Sequence, residues 1–234
     1  MRPQGRPSGE IVWTIVVAGG SGVRFGTAKQ YEMLGDRRVL DWSIATAQSV
    51  SDGVVVVVPA HDAQREHAVA GGASRSDSVR AGLAAVPAEA TIICVHDACR
   101  PFASVHMYEQ VIDAVCSGSA DTSQLIVAAI PGLPVTDTIK QVDSTGRVTG
   151  TPRRDQLVAV QTPQAFRASA LRDAHAKAVA AQSHMQAPAT DDAMLVEQAG
   201  GVVVVVDGSS AARKITEPAD LQWARTYLIE QGLS

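Results

Sequence analysis

VAGGSGVRFGTAKQY, residues 17–31, follows directly on the apolar run Ile11–Val17, IVWTIVV. A β-rich run that breaks into a glycine-rich turn is the usual opening of a layered α/β domain. The stretch holds four glycines, one arginine and one lysine, which together invite an anion. It is not a P-loop: Gly26 is followed by Thr27 and Lys29 by Gln30, so G-x-x-x-x-G-K-[ST] fails. It is not the dinucleotide fingerprint either, because Phe25 stands where its last glycine belongs. What remains is bare amides at Gly19–Gly22, free of a blocking Cβ, followed by the cations Arg24 and Lys29. Such a layout suits nucleotidyl transfer, where charge grows on a phosphorus centre. The plain alternative is a glycine turn with two solvated cations.

Outward from this loop, β-rich runs recur at Val54–Pro59, Thr91–His96, Leu125–Ile130 and Val202–Val206. They are continuous rather than alternating, as expected of strands covered on both faces. Helical patterns fill most gaps: Val39–Val50, Ser76–Val86, Ser104–Cys116, Ala168–Ala181, Asp191–Ala199 and Pro218–Glu230. The alternation predicts an α/β fold, a Rossmann-like, mainly parallel sheet flanked by helices. Ligands in such folds sit beyond the carboxyl ends of strands, after Val17, His96 and Ile130. Residues 134–152 interrupt the alternation with two polar, Thr-rich runs around Ser144-Thr145-Gly146, which read as a β-hairpin. Either it is a solvated excursion or, as favoured here, an arm at about 134–156 that embraces a second subunit. Residues 182–189 read as a loop before a helix capped by Thr190. Residues 1–10 read as a flexible leader and 11–234 as one domain.

Composition excludes several classes. A net charge of −4 argues against a general nucleic-acid binder. The apolar runs are too short to span a bilayer. Cys94, Cys99 and Cys116 suit a reducing cytoplasm better than a disulfide framework, and their spacing with His96 fits no common zinc pattern. His61, His67, His106, His175 and His184 suggest no site. Asp191 and Asp192 read as first-turn carboxylates on a helix dipole, and Trp13, Trp42 and Trp223 as packing residues. Asp97, just beyond a strand, suits Mg²⁺.

Ala18-Gly-Gly-Ser-Gly-Val-Arg-Phe and Lys29-Gln-Tyr resemble the opening signature of the 2-C-methyl-D-erythritol 4-phosphate cytidylyltransferase family. Six further motifs follow in order: Gly71-Gly-Ala-Ser-Arg-Ser-Asp-Ser-Val79, Val95-His-Asp-Ala-Cys-Arg-Pro101, Asp137-Thr-Ile-Lys140, Thr162-Pro-Gln164, Thr190-Asp191 and Lys214-Ile-Thr216. The resemblance implies a Mg²⁺-dependent, homodimeric enzyme that transfers CMP from CTP to a small polyol phosphate. It implies Arg24 and Lys29 as transition-state cations, with Arg154 and Lys214 completing the catalytic set by positioning the substrate. Ala18, Gly19, Gly20, Gly22, Gly71, Gly72 and Ser78 would bind CTP. Asp97 would hold the metal and, with Arg100, Thr138, Thr162 and Thr190, face the substrate; Thr138 and Arg154 would reach across the dimer. Arg153, adjacent, leaves a register alternative of one residue. Ala73 stands where the family often has an acid, and Cys99 where it most often has alanine. Ribitol 5-phosphate is the alternative substrate, and a catalytically silent nucleotide-binding module the alternative of another class. The chain is expected to be too short for a fused second enzyme.

Overall fold

The central sheet is built from Val/Ile-rich strands whose alternate side chains enter two different cores. The computed structural model describes residues 9–19, 25–118, 125–180 and 189–233. β1 (Val12–Val17) lies between β6 (Ile92–Asp97) and β4 (Gly53–Val58), parallel to both, and β5 (Val69–Ala70) extends the sheet beyond β4. On the other side β7 (Ile126–Pro134) pairs in parallel with β12 (Val202–Asp207). The two halves are joined by β11 (Gln164–Arg167), antiparallel to both β6 and β7. β10 (Val158–Val160) precedes it and pairs with the end of β7.

The period-two geometry of β1 divides the packing. Val12 and Val16 face a cluster containing Leu40 and Ala47 of α1 (Val39–Val50) and Met107 and Val111 of α3 (Val105–Ser117). Ile15 and Val17 face the opposite cluster. That one contains Val79 and Leu83 of α2 (Arg75–Ala85), Leu171 of α4 (Ala168–Ala180) and Leu195 of α5 (Asp192–Gln198). Trp13 lies over Gly53, its partner in register, where a Cβ would fall 2.5 Å from the ring. A third cluster joins α6 (Pro218–Glu230) to the small ribbon of β2 (Met33–Leu34) and β3 (Arg37–Arg38) through Leu34, Ile215, Leu221 and Leu228.

The expected strands and helices are all present, with two corrections. The helix at 192 is capped by Asp191, whose Oδ1 accepts the Met194 amide at 3.0 Å, and not by Thr190. β12 is an edge strand only part-covered on one face: Val204 and Val206 pack on one cluster and Val203 on the other, but Val205 is 51% exposed. The sheet is mainly parallel, as expected, with β10 and β11 antiparallel. β11 was unforeseen; QAFR is short, half polar and follows a proline. The expected hairpin forms from β8 (Gln141–Val142) and β9 (Val148–Gly150). Its turn is held by Oδ1 of Asp143, which accepts the amides of Thr145 (2.9 Å) and Arg147 (3.0 Å), while Gly146 takes φ +82°. Residues 136–149 are exposed throughout. Of the expected leader, residues 1–8 lie outside the described residues, and Glu10 is tied to Arg167 at 2.7 Å. Residues 182–188 of the expected loop are also outside them.

Candidate active site

The carboxyl ends of β6, β1 and β4 lie side by side, and the candidate residues gather there. Val17 pairs in register with Asp97, the Ala98 amide donates to the Val17 carbonyl (3.0 Å), and the Ala18 amide donates to Val57 (2.7 Å). Gly71 follows β5 and donates to the Val58 carbonyl at 2.7 Å.

Asp97 is the electrostatic centre. Nζ of Lys214 donates to its Oδ2 at 2.6 Å, and Nε of Arg75 donates to its Oδ1 at 3.2 Å. Burial alone would push this carboxyl up; Arg75 and Lys214 outweigh burial and hold it well below the usual carboxylate range. Both oxygens of Asp97 are thus taken by residues distant in the sequence, and not by the nearby Arg100. Arg100 instead donates to the carbonyls of Ala212 (2.8 Å) and Val160 (3.3 Å). It thereby ties the segment carrying Lys214 to the strand ends. The Ile215 amide adds a bond to the Cys99 carbonyl at 2.8 Å.

Lys29 sits in a single 3₁₀ turn, Lys29–Tyr31. The turn is anchored by Tyr31, whose hydroxyl donates to Asp62 (3.0 Å) and whose ring lies under Arg65 and Arg38. Burial, then the Asp62 hydrogen bond, raises the Tyr31 hydroxyl to about 12. The Cys99 thiol lies in the field of Lys29 and Lys214, and burial nonetheless pushes it up.

Gly19, Gly71, Gly72 and Ser78 form a tight corner. A Cβ on Gly71 would fall 2.8 Å from Oγ of Ser78, and one on Gly19 would fall 3.0 Å from it. That hydroxyl accepts the Gly72 amide (3.2 Å) and donates to the Ser74 carbonyl (3.0 Å). Ser74 caps α2 in a box with Asp77, so Ser78 is held by the first helical turn. Thr162 accepts the Asp97 amide at 3.0 Å and lies 3.0 Å from Nδ1 of His96. Burial lowers the His96 imidazole to about 4, so it is neutral at pH 7.

The structure thus unites Ala18, Gly19, Lys29, Gly71, Gly72, Ser78, Asp97, Thr162 and Lys214, with Arg100 bracing them. It does not bring in Arg154, Thr138 or Thr190. Arg154 is exposed and donates to the Thr136 carbonyl (3.0 Å); Thr138 is exposed on the hairpin. Thr190 is exposed beside Met194. Gly20, Gly22 and Arg24 lie outside the described residues. Sequence reasoning missed Arg75, Asp192 and His175. Arg75 was visible within Gly71–Val79 as the segment's one cation, and Asp192 was assigned to the helix dipole. Its oxygens instead accept from Arg75 (2.7 Å) and lie against His175 (2.9 Å).

Among the described residues, no three His, Cys, Asp or Glu side chains are placed to share a metal. One anionic carboxylate at a strand end, ringed by cations, fits an ion held by a single carboxylate together with ligand phosphates, as Mg²⁺ commonly is.

A family model for IspD, 2-C-methyl-D-erythritol 4-phosphate cytidylyltransferase, matches residues 12–230. The chain is 41% identical to the protein of that name from Nocardia farcinica, covering 94% of each. It is 42% identical to a bifunctional enzyme IspD/IspF of Solidesulfovibrio magneticus, across 90% of this chain and 55% of that one. The chain thus spans a little over half the length of such bifunctional relatives. Among solved structures, 4-diphosphocytidyl-2C-methyl-D-erythritol synthase from Anaerococcus prevotii superposes with a TM-score of 0.79 at 28% identity, covering 95% of this chain and all of that one. The cytidylyltransferase from Thermus thermophilus gives 0.74 at 30%, covering 92% and 98%. With its strand-end charges, glycine corner and sheet order in place, the chain belongs to the 2-C-methyl-D-erythritol 4-phosphate cytidylyltransferase family.

Proposed function

We propose that this chain transfers CMP from CTP to 2-C-methyl-D-erythritol 4-phosphate and releases pyrophosphate. The observation that carries the reading is the convergence of Lys29, Asp97 and Lys214 at the ligand edge of the sheet. The attacking oxygen belongs to a phosphate and is already anionic, so no general base is needed. The task is to bring anions together and to neutralise the charge that grows at the α-phosphorus. Lys29 and Arg24 supply cations there, and amides from Ala18 to Gly22 wrap the triphosphate. Lys214, 38% exposed, is free to leave Asp97 for a phosphate oxygen. Asp97 would hold Mg²⁺ with the nucleotide phosphates, and the ion would add charge neutralisation.

Ser78 supports cytosine selection. Its hydrogen is committed to Ser74 and one lone pair to the Gly72 amide, so what it keeps for a base is a single acceptor lone pair. A lone pair accepts from the exocyclic amine of cytosine and opposes the carbonyl of uracil.

A homodimer completes the reading. Ile139, Val142 and Val148 on the hairpin, Val158 and Val160 on β10, and Val205 on β12 are all exposed apolar side chains. A second subunit would cover them, and the arm would carry Thr138 and Arg154 to its partner's substrate, where Thr162 and Thr190 supply hydroxyls. The three cysteines suit a reducing cytoplasm better than a disulfide framework.

The test is pyrophosphate release with CTP and Mg²⁺, comparing methylerythritol 4-phosphate with ribitol 5-phosphate, and CTP with UTP. Turnover with methylerythritol phosphate and CTP is expected. A preference for ribitol phosphate would change the substrate and keep the mechanism; no turnover with either would overturn the reading.

A further inference from the structure

A line of buried charge leads away from Asp97 along the face of the sheet that α2, α4 and α5 cover. His175 lies on α4, Asp192 opens α5, Arg75 opens α2 and Asp97 ends β6. Nε2 of His175 is 2.9 Å from Oδ1 of Asp192. The other oxygen of Asp192 accepts from Nη1 of Arg75 at 2.7 Å, and Nε of Arg75 donates to Asp97 at 3.2 Å. The side chains of His175 and Asp192 are 3% and 1% exposed.

Such a ladder is a costly way to gain stability. Desolvating a carboxylate consumes much of what its partners return, and apolar replacements often do as well. Geometry is the better explanation. Asp97 cannot hold Arg75 once its oxygens turn to the ligand, and an arginine released at one end has several torsions to explore. Asp192 grips the same guanidinium from behind. The imidazole of His175 fixes which way Asp192 faces, and it does so cleanly: its Nδ1 is buried and has no partner among the described residues. The guanidinium keeps further N–H donors for phosphate oxygens.

We propose that His175 and Asp192 are positioning residues, which keep the Arg75 guanidinium at the nucleotide's phosphates while Asp97 engages the ligand. The identity of that nucleotide rests on the cytidylyl-transfer reading above.

The test is a mutant cycle read by calorimetric CTP·Mg²⁺ affinity and by steady-state kinetics. His175→Leu and Asp192→Asn should each weaken CTP·Mg²⁺ binding and kcat/KM by about 10- to 100-fold, as a displaced charge does, and leave KM for the polyol phosphate in place. His175→Gln, which keeps an N–H donor of similar reach, should recover most of the loss. In an Arg75→Met background His175→Leu should cost nothing further. Should His175→Leu fail to fold, His175→Asn, too short to reach Asp192, replaces it. Equal losses with and without Arg75, or no recovery with Gln, or altered thermal stability with unaltered CTP parameters, would overturn the proposal. Because the affinity arm needs no turnover, a wild-type chain that binds CTP·Mg²⁺ but converts neither polyol phosphate would sink the function and still let the cycle decide the ladder. A wild-type chain that does not bind CTP·Mg²⁺ would sink both.

Discussion

Arginine–aspartate pairs occur in two very different settings in this molecule. At the strand ends Arg75 meets Asp192 at 2.7 Å, with the carboxylate 1% exposed. At the root of the arm Arg153 meets Asp155 at 2.5 Å, with side chains 72% and 60% exposed. The chemistry is the same and the consequences are not. Water screens the arm pair and competes for both partners, so it holds little. The strand-end pair is largely sheltered, Arg75 being 28% and Asp192 1% exposed, and each charge there is held by at least one other partner. Preorganised charge is what catalysis by positioning requires. An exposed, weakly held ribbon is what a segment requires if it is to adapt to a neighbour.

This contrast breaks first if strand-end cations prove dispensable. Lys29→Ala and Lys214→Ala should each lower turnover by about 10²- to 10³-fold in the pyrophosphate assay, whereas Arg153→Ala should leave it near wild type. Arg154→Ala separates the two settings further. It should be inactive alone yet regain activity when mixed with inactive Lys29→Ala; no recovery, with subunit exchange verified, would refute a shared site. Stability should divide the same way. Leu171→Ala, fully buried under the sheet, should cost about 2–5 kcal/mol in urea unfolding. Val142→Ala, 59% exposed on the arm, should leave the monomer's stability unchanged and loosen the proposed dimer in sedimentation.

A smaller effect should appear at alkaline pH. The hydroxyl of Tyr31 ionises near pH 10 in the unfolded chain and at about 12 in the folded one. The folded chain therefore holds the proton over that window, and its stability is complete below pH 10 and falls as pH rises through 12. Tyr31→Phe should lack that share of the alkaline decline in the urea midpoint.

Much of this was readable in the sequence because it depends on local pattern. Runs such as Val54–Val58 read as strands from composition alone, and the helix that begins at Arg75 was placed within one residue, at Ser76. The continuous run Val202–Val206 misled in part for the same reason: local pattern says a strand is apolar, not how fully each face is covered. β11 escaped because four mixed residues carry no period. Long-range partners were the least visible. Asp97 is 22 residues from Arg75 and 117 from Lys214, and nothing between them in the chain announces the meeting. Asp191 and Asp192 looked alike as letters; one caps a helix and the other is buried against Arg75 and His175. Only the fold separates their tasks.

The corner at Ser78 has a consequence for how this protein can change over generations. One hydroxyl is approached by two backbones, at Gly19 and Gly71; an added carbon would force a shift at Gly71 and fit only tightly at Gly19. Gly71 is also closed off by the Val58 carbonyl, 3.1 Å from where its Cβ would lie. A lineage that acquired alanine at Gly71 would need both the Ser78 hydroxyl and the Val58 carbonyl to give way, and would put at risk the lone pair proposed above to meet the base. The three positions therefore constrain one another. A library that randomises them one at a time should return almost nothing, whatever the rest of the loop tolerates.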